Sequence, residues 1–136
     1  MYQRISITIP LCPITKKNSQ RIVTRYLPSK GKSVPMIIPS KAYEEYEKAA
    51  GYFVKPKEIK IDYPVNVKCL YYMPTRRRVD LTNLIEATDD ILVKYGVLED
   101  DNFNIIAGHD GSRVYVDKDN SRTEIVIEAI ENIDKW

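Results

Sequence analysis

Hydrophobic positions along the chain recur with two different periods. Between Gln3 and Leu11, Ile5, Ile7 and Ile9 alternate with other residues, the spacing of a half-buried strand, and Pro10 and Pro13 end it. The pattern then lapses. Ile14 to Pro39 holds lysines, serines and three prolines, with one strand-like patch at Arg21 to Tyr26, and reads as a long basic loop or a ribbon. Loops of that length in compact domains are usually functional or disordered.

Ser40 then offers a helix N-cap, and Ala42, Tyr43, Tyr46, Ala49 and Ala50 follow at near-helical spacing, predicting a first helix that fades near Gly51. Lys55 to Tyr63 is a charged connector. Val65 to Tyr72, rich in Val, Leu and Tyr, reads as a core-facing strand ending at Met73-Pro74. The second helix has the clearest signature. Leu81, Leu84, Ile85, Thr88, Ile91, Leu92 and Tyr95 form one stripe interrupted by a single threonine, and Gly96 suits the left-handed stop. Asn83, Glu86, Asp90 and Lys94 share the opposite side. Two short strands, Ile105 to Gly108 and Ser112 to Val116, flank Asp110-Gly111, a hairpin signal. Thr123 to Ala129 alternates as a final strand. The order β, α, β, α, β, β, β predicts a single α+β domain over residues 1–136, with a mixed, mainly antiparallel sheet carrying two main helices on one face.

Composition narrows the class. A chain of 136 residues can bury about 65–70% of its unfolded surface without disulfides or structural metal. Cys12 and Cys69 have neither zinc-site spacing nor the density of a disulfide framework, so reduced thiols in a cytoplasm are expected. The run ISITIPLCPI is short and broken by proline, which argues against a signal peptide, and nothing approaches the ~18 apolar residues of a membrane span.

The formal net charge of +2 conceals an asymmetry. Met1 to Tyr43 carries eight Lys or Arg and no acidic residue, leaving 13 basic against 19 acidic residues in the remainder. A one-sided basic segment suits a polyanionic partner, because each neutralised phosphate releases counterions. A solvated basic loop accounts for the same composition.

The candidate chemistry lies between Arg76 and Asn104, RRRVDLTNLIEATDDILVKYGVLEDDNFN. Asp80 alone is explained as a helix N-cap, and Asp100 and Asp101 as an acidic turn. The two ends meet only if the loop after the helix reverses, and the residues do not show that geometry. Their chemistry is nevertheless coherent. Like charges such as Glu86 and Asp90 at i, i+4 repel by a few tenths of a kcal/mol, a hard divalent ion relieves that repulsion, and arginines can hold a phosphate backbone. His109, beside the hairpin signal, is expected to be an exposed turn residue, and the tyrosines to pack in the core and at its rim.

RRRVDLTNL followed by DDILVKYGVLEDDN resembles the RusA family of Holliday junction resolvases, and PITKKNSQR resembles that family's N-terminal motif. The resemblance covers Ile5 to Ile127. It implies a RusA-like fold and a homodimeric, Mg²⁺-dependent endonuclease, with Mn²⁺ as an alternative ion, that cuts four-way DNA junctions and has no membrane association. Position by position, Asp80 and Asp101 match catalytic, metal-binding aspartates and Asp90 a further one. Asp100 and Glu86 are candidate auxiliary ligands, and Lys16, Lys17, Asn18, Arg21, Arg76, Arg77 and Arg78 candidate DNA contacts. The chain departs from the family at Thr82, in place of a second essential aspartate, and at Glu86, in place of an essential lysine. Those departures keep two further readings open: a junction-binding protein that does not cut, and a general Mg²⁺ nuclease acting on flaps or single strands.

Overall fold

The computed structural model describes residues 4–16, 20–54 and 60–134. One sheet, ordered β1-β7-β4-β5, is built from β1 (Ile5–Ile9), β7 (Arg122–Ala129), β4 (Val65–Met73) and β5 (Ile106–Gly108), with β6 (Arg113–Val116) also pairing to β4. β1 with β7 and β7 with β4 are antiparallel, while β5 and β6 run parallel to β4. The register places Ile7, Ile125 and Cys69 abreast, and likewise Ile9, Thr123 and Tyr71. Since side chains alternate with period two, these rows share one face. Two helices bury their apolar stripes with that face: α1 (Lys41–Val54) through Tyr43, Tyr46, Ala50 and Val54, and α2 (Leu81–Lys94) through Leu84, Ala87, Ile91 and Leu92. The expected α+β architecture is therefore present. The threonine in the α2 stripe is satisfied locally. Thr88 Oγ1 donates to the Leu84 carbonyl at 3.0 Å, leaving its lone pair to accept the Tyr71 hydroxyl at 2.7 Å.

Three sequence expectations are refined or changed. The segment read as a long basic loop or a ribbon contains the ribbon, β2 (Gln20–Leu27) paired antiparallel with β3 (Lys32–Pro39), so the strand-like patch is half of a hairpin whose other half carries two prolines. The strands flanking Asp110-Gly111 do not pair with each other. They are two pieces of one edge strand along β4, at Val65–Asn66 and Leu70–Met73. A tight turn does form there, with Gly111 at φ 85° and the Ser112 N–H donating to the His109 carbonyl at 3.2 Å. The Asn66 amide, however, grips both the carbonyl and N–H of Asp110, at 3.2 and 2.8 Å, so the turn becomes an outward loop in a strand that keeps its direction.

The third change concerns α1, which continues through Gly51 to Val54. Ser40 caps it as expected, its Oγ accepting the Tyr43 N–H at 3.1 Å. Gly51 leaves room that a side chain would fill: a Cβ there would lie 2.5 Å from the ring of Tyr95, the residue just after α2, and that ring is tethered by its hydroxyl to the Glu47 carbonyl at 3.1 Å. Gly51→Ala should gain about 1 kcal/mol of helix propensity and lose about 1–3 kcal/mol to overpacking. The expected outcome in urea unfolding is a lower midpoint at unchanged slope.

Candidate active site

Asp80 is the backbone N-cap of α2, but its carboxylate does not cap. Its extended φ/ψ (−90°, 128°) sets the carbonyl to receive the Asn83 and Leu84 N–H groups, while among the described residues the side chain accepts only the Asn83 amide at 3.3 Å. The helix-capping explanation of this aspartate is thereby removed: an exposed carboxylate stands free of the backbone at the positive end of a helix. Arg76, Arg77 and Arg78 precede it, all exposed, and line a hollow of about 260 Å³ shared with Met73, Val114 and Val116.

At the other end of α2, Gly96 adopts φ 79°, and the N–H groups of Val97 and Leu98 both turn back to the Leu92 carbonyl, at 2.9 and 3.2 Å. The chain then joins Ile61, which donates to Val97 O and accepts from Glu99 N–H, each at 2.9 Å. This reversal brings the acidic loop back along α2. Within the loop, Asp100 accepts the Asp101 N–H at 2.8 Å and the Asn102 amide at 3.0 Å, hydrogen bonds that hold its carboxyl below the usual range. Both Asp100 oxygens thus organise the loop. Asp101 is exposed.

Charge couples the returning loop to the third turn of α2. Burial is the main cause that raises the Asp89 and Asp90 carboxyls above the usual carboxylate range, and the charges of Asp101 and Glu86 raise both further. Lys16 opposes this at Asp90, its Nζ 4.0 Å from Oδ2. Four carboxylates therefore share one region. Asp80 lies apart from it, roughly 13 Å along the helix axis from Asp89 and roughly 9 Å from Glu86 at 1.5 Å rise per residue. Among the described residues, no group of three or more His, Cys, Asp or Glu is arranged as a ready-made metal cage.

Asp89 and His109 are the residues that sequence reasoning missed. His109 is half-buried in the sheet, not an exposed turn residue: Nδ1 lies 2.8 Å from the Val67 carbonyl and Nε2 3.0 Å from Asp89 Oδ2. A carbonyl can only accept, so Nδ1 carries hydrogen, and the proton of the second bond is shared between Nε2 and the carboxylate. Hydrogen bonding to Asp89 raises the His109 pKa above its ordinary value. Asp89 Oδ1 is buried and has no hydrogen-bond partner among the described residues. Because they lie twenty positions apart, no local pattern links the pair.

The sign of the linkage follows from the raised histidine pKa. Stability from protonated His109 is fully present below about pH 6.5 and is lost as pH rises through the folded-state pKa. His109→Gln should therefore cost about 1–3 kcal/mol at pH 5.5 and progressively less above neutrality. Paired urea titrations of the two proteins across pH measure this.

Lys17 and Asn18, expected to contact DNA, lie outside the described residues, as does the side chain of Arg21. No helix among the described residues is long and apolar enough to cross a membrane. Residues 10–128 match the protein family described as Endodeoxyribonuclease RusA. No curated protein matches the chain.

Proposed function

Because the chain belongs to the RusA endodeoxyribonuclease family, we propose that it is a Mg²⁺-dependent homodimer that resolves four-way DNA junctions in recombination and repair. Asp101, with Asp90 and Glu86 as auxiliaries, is the proposed ligand set for the ion, with Mn²⁺ as an alternative; Asp80, apart from that region at the N-terminal end of α2 beside Arg76 to Arg78, is proposed to hold a separate ion that arrives with the phosphate backbone. The observation that carries the reading is the family match over residues 10–128; the carboxylates of α2 and the returning loop are the oxygen donors that a hard cation takes, although no three of them stand together as a ready site among the described residues. Such an ion supplies Lewis-acid stabilisation and a nucleophilic hydroxide when bound. Asp100, occupied by its own loop, is assigned to shaping that loop.

The chain's own residues supply the remaining parts. Lys16 brings an ammonium to the carboxylate cluster and is proposed to replace the charge that the family's lysine would provide at Glu86. The exposed Arg76, Arg77 and Arg78 beside Asp80 are proposed to hold the phosphate backbone leading into the site. The matched active sites of a two-fold dimer suit a substrate cut at two symmetric positions.

Thr82 and Glu86 favour the second reading, a junction-binding protein that does not cut. Glu86→Gln and Asp90→Asn separate the alternatives when assayed on a labelled four-way junction with Mg²⁺. Slower cleavage at unchanged binding supports the ligand assignment. Full activity in both variants overturns the auxiliary role, and wild-type binding without cleavage supports the second reading.

A further inference from the structure

Among the described residues, the β2–β3 ribbon contributes none to the hydrophobic core, yet Ile22, Tyr26 and Ile37 are 73%, 60% and 67% exposed. Their register, Ile22 opposite Ile37, Thr24 opposite Pro35 and Tyr26 opposite Ser33, places them on one face. A two-stranded hairpin without a core beneath it is marginally stable in water, and apolar side chains grouped in this way mark a binding surface. The charge of the ribbon indicates its partner. Arg25, Lys30 and Lys32 are all exposed, and no acidic residue occurs between positions 20 and 39. By the same alternation Arg25 and Lys32 lie on the ribbon's other face and Lys30 lies in its turn, so positive charge without any acidic residue surrounds the apolar face, which suits a polyanion. Eight residues per strand span about 26 Å, and a two-stranded ribbon fits the roughly 12 Å width of the DNA major groove.

We propose that the ribbon is a DNA-binding arm that lies in the major groove of one duplex arm of the junction. The Ile22, Tyr26 and Ile37 face meets base edges, where thymine methyl groups offer apolar contact. Lys30 from the turn, and the long side chains of Arg25 and Lys32 around the strand edges from the opposite face, reach the flanking phosphates. The inference rests on the nuclease reading and extends it, assigning a second DNA contact that is separate in sequence from both the carboxylates and Arg76 to Arg78. The phosphate contacts orient the duplex, and the apolar contacts with base edges add a preference for thymine.

The test measures binding of the full chain to a labelled synthetic four-way junction in chelator, between 50 and 200 mM salt. Arg25→Ala, Lys30→Ala and Lys32→Ala combined should reduce the slope of log affinity against log salt by about 2.7, the effect of three lost phosphate contacts. Ile22→Ser with Ile37→Ser should weaken binding at unchanged slope. Both variants should lose the protection of guanine N7 against dimethyl sulfate that the wild type gives in one junction arm. Because the ribbon lies outside the core, thermal unfolding should stay at the wild-type midpoint. Variants with wild-type affinity, slope and protection would overturn the arm while leaving the nuclease reading intact. A wild type that fails to bind the junction overturns both. If sedimentation shows that the Ile22/Ile37 variant dissociates into monomers with its DNA footprint unchanged, the face belongs to a second copy of the chain and the inference is wrong.

Discussion

Asp101→Asn is expected to slow junction cleavage by about 10²–10³-fold, the scale seen when one electrostatic group is removed from a transition-state site, with little loss of junction binding. The substitution keeps the side chain's shape and removes its charge. The loop should survive it, because Asp101 contributes its backbone N–H to the loop while Asp100 provides the accepting carboxylate. Removing that charge should also lower the pKa values of Asp89 and Asp90, since Asp101 raises both. Single-turnover cleavage at saturating Mg²⁺, binding in chelator and carboxyl titration by NMR give three independent readouts. Wild-type cleavage by Asp101→Asn would remove this residue from the chemistry.

Leu92→Ala should have the largest effect on stability, about 2–5 kcal/mol for a fully buried leucine. Leu92 is 0% exposed, and its carbonyl receives both N–H groups that turn the chain after α2. The lost side chain opens a cavity beneath that reversal, so a shifted Asp101 loop should reduce cleavage further than unfolding alone explains. Urea unfolding at unchanged slope checks the first part, and cleavage measured well below the unfolding midpoint checks the second. Glu99, exposed just beyond the reversal, supplies the comparison: Glu99→Ala should stay within about 0.5 kcal/mol of wild type.

The residues conveyed local order well. The stripe from Leu81 to Tyr95 specified α2 and its buried face, Gly96 marked the stop, and Ser40 marked the start of α1, because each signal lies within a few positions of its effect. Long-range pairing was not legible. The return of Asp101 towards α2 depends on backbone bonds to Ile61, and the Asp110-Gly111 turn was diverted from a hairpin by Asn66, 44 residues earlier. The same limit hid His109 and Asp89, whose roles appear only once β4 and α2 pack together. At the site, the family pattern singled out Asp80 and Asp101. Asp80's lack of a capping bond and Asp101's coupling to the helix required the folded chain.

These carboxylates are proposed to cut branched DNA with Mg²⁺. The most direct test is the rate at which the wild type cleaves a mobile four-way junction and a matched linear duplex, each with Mg²⁺ and with chelator. Paired, symmetric cuts in the junction are expected, with the linear duplex intact and no cutting in chelator. Equal cleavage of the duplex, or junction binding without any cut in Mg²⁺, would contradict the proposal.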